Sequence, residues 1–133
     1  MLTITENITI NADINKIWAF LIDFSLSLNF NRFHIKLELP AQYSIGKLKK
    51  FKIDHNFGFG KYDMVAEITD CIPPNKLCLW EYCVDDKKKG FPHKVKFQIE
   101  PDGNKCTLSY TVTGTYGGKV QDMSFKPILK GVV

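Results

Sequence analysis

Leu2, Ile4, Ile8 and Ile10 alternate with Thr3, Thr5 and Thr9, the period-two mark of a strand with one buried face. At Asn11-Ala-Asp13 the period changes. Ile14, Ile17, Trp18, Leu21 and Ile22 are spaced three and four apart, which predicts an amphipathic helix capped by Asn11 or Asp13. Phe24 to Phe30 predicts a second, short helix with Ser25 as its cap. From Phe33 the alternation returns, with Phe33, Ile35, Leu37 and Leu39 on one face and His34, Lys36 and Glu38 on the other, until Pro40 ends the run. Strands are then expected over 45–54, 62–68, 77–84, 93–100 and 106–113. The turns between them fall at Pro73-Pro74-Asn75, at 85–90 and at Asp102-Gly103. After Gly118 the segment 119–133 begins an amphipathic helix, with Pro127 placed to kink or restart it and Gly131 weakening its last turn.

The order is therefore one strand, two short helices, a meander of about six strands and a closing helix. Strands adjacent in sequence pair with one another, and about seven of them with one apolar face curl rather than stay flat. The fold class is α+β. A chain of 133 residues is a single domain, 1–133, large enough to hold a core without crosslinks.

Composition changes this picture in a few places. The aromatic share is 13%, with ten Phe, and aromatics fill cores and line apolar pockets alike. The net charge of +4 comes almost wholly from lysine, since Arg32 is the only arginine, and nucleic-acid recognition leans on arginine. Lys47, Lys49, Lys50 and Lys52 read as the solvated side of a strand and 87–89 as a loop tip, so no nucleic-acid partner is expected. Cys71, Cys78, Cys83 and Cys106 lack the spacing of zinc or redox motifs, and the step from Cys78 to Cys83 puts those two on opposite faces of one strand. With no signal-peptide pattern and no long apolar run, a cytoplasmic location, reduced thiols and no integral membrane segment are expected.

The stretch from Asn11 to Asp23, with Trp18 inside it, resembles the "a-x-x-x-x-v-W-x-x-l-x-D" that follows the first strand in the START-like (SRPBCC) superfamily. Leu39-Pro40 with Gly46 resembles that superfamily's "p…G". Ile72-Pro-Pro-Asn-Lys-Leu77 with Trp80 resembles the "e-x-P-P-x-r-L-x-w" of its polyketide cyclase/dehydrase-type members. The segment 107–113 resembles the last strand, so the similarity runs over nearly the whole chain. It implies the helix-grip fold of the birch-pollen allergens, with a hydrophobic cavity between the curved sheet and the C-terminal helix. That helix is short here, since only fifteen residues follow Gly118. A short cover leaves one cavity mouth open, or closed by a second copy in a homodimer formed through the C-terminal helix.

Alternation places Tyr62, Met64, Trp80, Tyr82, Phe97 and Tyr110 on or near the inner face, with Leu77, Leu79 and Cys83 as the opposing set. A register slip would exchange the two sets on 77–84. Together with Trp18, His93 and Met123 these are the candidate ligand-binding residues, and Phe57 and Phe59, interleaved with glycines, are a candidate gate. The Tyr82 and Tyr110 hydroxyls either orient a ligand or bond backbone at the rim. Among the histidines, His34 reads as outward, His55 as a loop residue, and His93 as inward because it shares parity with Val95 and Phe97. His93 is thus the one candidate for acid–base work. Glu81 is expected on the convex face; were it buried, its pKa would rise. No nucleophilic triad, paired carboxylates or HxxxH metal set is present, so no metal and no cofactor are expected.

These features predict a non-enzymatic binder or carrier of a small hydrophobic molecule, whether lipid, polyketide, quinone or aromatic metabolite. The resemblance leaves two alternatives. One is a cyclase or dehydratase that uses His93 with a cavity tyrosine. The other is a protein-interaction module of the co-chaperone or respiratory-chain-partner kind.

Overall fold

The initial alternation becomes strand β1 (Leu2–Ile10), and the change of period becomes helix α1 (Ile14–Ile22). Asp13 is the cap, its carboxylate accepting the Asn15 N–H at 3.0 Å. Ile17, Trp18 and Leu21, one helical stripe, are buried. Helix α2 (Phe24–Ser27) follows directly and is shorter than the pattern suggests. Asp23 precedes it, and Ser25 lies inside it, donating its hydroxyl to the Asp23 carboxylate at 2.7 Å. The corner between the helices is tied from a distance by Tyr43. Its hydroxyl accepts the Phe24 N–H and donates to the Ile22 carbonyl, each at 3.0 Å. Phe24, fully buried, stacks on Phe51 with ring centroids 4.8 Å apart.

The computed structural model describes residues 2–28, 34–56, 60–88 and 91–114. Beyond the helices these form β2 (His34–Glu38), β3 (Lys50–Asn56), β4 (Lys61–Tyr62), β5 (Met64–Ile72), β6 (Lys76–Cys83), β7 (His93–Asp102) and β8 (Lys105–Gly114). One antiparallel sheet results, in the order β1-β8-β7-β6-β5-β3-β2, with the two-residue β4 on β3. The meander pairs neighbours in sequence, and β1 closes onto β8 at the far edge. The sheet curls into a half-barrel whose concave face meets α1 and α2. The expected closing helix, with Met123 and any dimer contact, lies outside the described residues, as do Phe57 and Phe59.

The register shows which side chains share the concave face. One row crosses the sheet through Phe51, Ala66, Glu81, His93 and Gly114 to Leu2. A second runs through Ile68, Leu79, Val95, Val112 and Ile4, and a third carries Leu77, Phe97 and Tyr110. On β6 the expected faces are therefore exchanged. Leu77, Leu79 and Cys83 point inward with Glu81, while Trp80 and Tyr82 lie on the convex face. That strand carries apolar residues on both faces, so period two alone could not choose between them.

Candidate functional site

All three histidines of the chain converge on Glu81. Glu81 takes the inward position between Leu79 and Cys83 on β6 and is 2% exposed. His93 is its register partner on β7, and its Nε2 lies 3.0 Å from Glu81 Oε2. His55, near the end of β3, brings its Nε2 to 3.1 Å from Oε1. His34, the first residue of β2 and the register partner of His55, brings its Nε2 to 3.7 Å from the same oxygen. The imidazoles meet edge to face, with ring centroids 4.5 Å apart for His34 and His55 and 5.6 Å apart for His55 and His93. Ala66, the register partner of Glu81 on β5, contributes only a methyl group to the inward face, leaving space above β5 for rings that arrive from β2 and β3.

Each ring is held from behind by a main-chain carbonyl. His34 Nδ1 is 2.7 Å from the Leu28 oxygen, His55 Nδ1 is 3.1 Å from that of Ile53, and His93 Nδ1 is 2.6 Å from that of Phe91. A carbonyl oxygen cannot donate, so the proton of each pair belongs to Nδ1. Every Nε2 is therefore the nitrogen turned toward the carboxylate. His93 also stacks on the buried Phe91 ring at 4.8 Å. Gly114 stands across from His93 on β8, where a Cβ would lie 2.5 Å from the Pro92 carbonyl oxygen and 2.7 Å from the His93 Cβ. The absence of a side chain there lets β8 lie close against the start of β7.

The electrostatics divide the cluster. Burial pushes the Glu81 carboxyl up, but the His93 charge and hydrogen bond, with the His55 imidazole close by, outweigh it and hold the group well below the usual carboxylate range. Burial pushes His93 down, yet the attraction and hydrogen bond of Glu81 leave it raised. The two are an imidazolium–carboxylate pair. His34 goes the other way: burial lowers it to about 4, against a smaller upward pull from Glu81. At neutral pH its Nε2 carries a lone pair. Glu81 Oε1 is buried with no aligned hydrogen bond, although it stands within ion-pair range of both His55 and His34.

Three expectations are corrected by this geometry. His34 points inward because a bulge between His34 and Lys36 breaks the alternation, which leaves Ile35 half exposed. His55 sits in a strand, at the same parity as Phe51 and Ile53, so the pattern that marks those two as core could have found it. Glu81 is inward, and its pKa is lowered where burial alone would raise it. The inward reading of His93 agrees with the structure.

The other candidates are spread over both faces. Met64 is fully buried on the inner face, and Phe97 packs on Tyr110 there with centroids 4.9 Å apart. Tyr62 is half-buried against the core, and Trp18 lies within it. Trp80 and Tyr82 lie together on the convex face, 4.6 Å apart, under the Lys87 ammonium, and the Tyr82 hydroxyl donates to Glu67 at 3.1 Å. One groove of about 830 Å³ runs between the helices and the segment 35–45; another, of about 590 Å³, lies over Trp80 and Lys94 on the convex face. Neither is lined by Glu81 or by a histidine. The four cysteines are free thiols, and no described helix is long and apolar enough to cross a membrane.

Solved structures with the same architecture exist in several bacteria. A conserved protein from Geobacillus kaustophilus is 24% identical, covering 98% of this chain and 87% of its own at a TM-score of 0.74. A START superfamily protein from Mycobacterium smegmatis is 13% identical, with coverages of 97% and 87% and a TM-score of 0.74. The di-domain aromatase/cyclase StfQ of the steffimycin biosynthetic pathway is 12% identical at a TM-score of 0.72, covering 98% of this chain and 46% of its own. No family model matches the sequence, and no curated protein does. The fold is the START-like helix grip, a half-barrel sheet with few short helices, also seen in aromatase/cyclases.

Proposed function

We propose that the protein binds a small, mainly apolar molecule bearing one polar group on the concave face of its sheet. The observation that carries this reading is the gradient along that face: rows of Leu77, Leu79, Val95, Phe97 and Tyr110 lead to the buried cluster at Glu81. Apolar walls with a few convergent polar groups are what an orienting pocket needs. A lipid, polyketide, quinone or aromatic metabolite fits that description. The START-like fold, which in StfQ serves an aromatase/cyclase, supports the same class of ligand.

Native mass spectrometry of the protein as purified, followed by denaturing extraction, tests it. A stoichiometric apolar molecule is the expected result, and Phe97→Ala should lower its occupancy while Trp80→Ala, on the convex face, should not. A folded protein that neither carries nor takes up any apolar molecule would overturn the reading.

One observation favours a second reading, a cyclase- or dehydratase-type enzyme. His93 forms a buried imidazolium–carboxylate pair with Glu81 on the inner face, and a substrate carbonyl that displaced Glu81 from Nε2 would meet an acid able to polarise it. Turnover lost in His93→Gln with ligand binding intact is the result that would select it.

A further inference from the structure

We propose that His34, His55 and Glu81 bind a divalent transition-metal ion, with His93 positioning the carboxylate from behind. The donor atoms of these three residues all lie within 4.8 Å of one another. Two imidazoles and one carboxylate, presented by β2, β3 and β6, form the two-histidine, one-carboxylate set that zinc and ferrous iron accept. At the tetrahedral angle, metal–donor bonds of about 2.0–2.2 Å put neighbouring donors about 3.3–3.6 Å apart. Glu81 Oε1 stands 3.1 Å from His55 Nε2 and 3.7 Å from His34 Nε2, bracketing that separation. The widest pair needs to close by no more than about 1.5 Å.

Three further features suit an ion better than a purely structural polar cluster. Both ligand rings have their Nδ1–H fixed on a main-chain carbonyl, which leaves Nε2 as the atom offered to an ion and sets the ring plane. The two Nε2 atoms address one oxygen, Glu81 Oε1, which is buried and makes no aligned hydrogen bond. Donor atoms from three strands that converge on one buried point are satisfied together by a cation placed between them. The second oxygen, Oε2, is occupied by His93 at 3.0 Å, so the carboxylate is aimed with Oε1 toward the rings. Hard ions such as magnesium and calcium prefer oxygen-rich sites, which this is not.

The ligands are far apart in sequence and come from three strands, so no spacing motif betrays them. The proposal is independent of the organic-ligand reading, because a protein that retains no apolar molecule can still take the ion. With three protein ligands, the remaining coordination positions are left for water or for the polar group of a bound molecule.

The test is cobalt(II) and zinc(II) titration of the whole chain after dialysis against chelator, read by visible absorption and by elemental analysis. One equivalent per chain is expected, with a visible cobalt band that zinc displaces and X-ray absorption of the wild-type complex showing nitrogen and oxygen neighbours only. His34→Ala, His55→Ala and Glu81→Gln should each weaken binding at least about 100-fold. His93→Ala should weaken it about 10- to 100-fold while keeping one equivalent, with partial recovery in His93→Gln, which retains a donor for Oε2. Folded wild-type protein that takes up no metal would overturn the proposal. So would sulfur neighbours in the absorption spectrum, or an unchanged affinity in the folded Glu81→Gln variant. Should a variant fail to fold, the wild-type spectra decide by themselves.

Discussion

Glu81 and His93 are register partners on adjacent strands, and their side chains meet at 3.0 Å inside the fold as a carboxylate and an imidazolium. Buried pairs of this kind need not add net stability, but their members depend strongly on one another. A double-mutant cycle of Glu81→Gln and His93→Gln, followed by urea unfolding of metal-free protein at pH 6, should give a coupling of about 1–3 kcal/mol. The sign with pH follows from both shifts. The depressed Glu81 contributes above its ordinary 4.5 and the raised His93 contributes below its ordinary 6.5, so the coupling is greatest between those values and fades as alkali removes the His93 proton. A coupling within error of zero at pH 6 would show that the two act independently.

His34 has the opposite dependence. Its folded pKa of about 4 lies below the ordinary 6.5, so its neutral form stabilises the fold above pH 6.5, and that contribution is lost as pH falls toward 4. Metal-free protein should lose roughly 3 kcal/mol from this group over that interval. His34→Asn should flatten the acid limb of the stability profile. Parallel profiles for the two proteins would contradict the assignment.

Tyr43 reaches the junction of the two helices from a loop and serves a donor and an acceptor with one hydroxyl. Tyr43→Phe keeps the ring against Phe24 and removes only those two bonds. It should cost about 1–3 kcal/mol, several degrees in Tm, with no loss of the far-ultraviolet signal. An unchanged Tm would mean that solvent replaces both bonds.

Most of the framework was legible because it rests on periodicity. β1, α1 and the strands at 93–100 and 106–113 appear close to where alternation and helical spacing put them. The cluster was mostly hidden, for three different reasons. A single extra residue between His34 and Lys36 reverses parity, which no local pattern announces. A carboxylate in a strand is read outward because burying it alone is costly, and the groups that offset the cost come from other strands. On β6 Trp80 and Tyr82 made the convex face look like the core, since large aromatics under Lys87 carry as much apolar surface as a true inner row. His93 was visible because its neighbours on β7 alternate cleanly with lysines.

Gly114 gives a way to recognise this arrangement elsewhere. β8 can lie this close to β7 only while the residue across from His93 has no side chain, since any Cβ would collide with the Pro92 carbonyl and the His93 Cβ. The atoms it would meet are main-chain or Cβ atoms, so the glycine guards the strand spacing from which the His93 ring is presented. In other chains of this fold, a glycine at the end of the last strand should therefore accompany the same close approach of the two strands. A telling position beside the centre is thus one that carries no functional group.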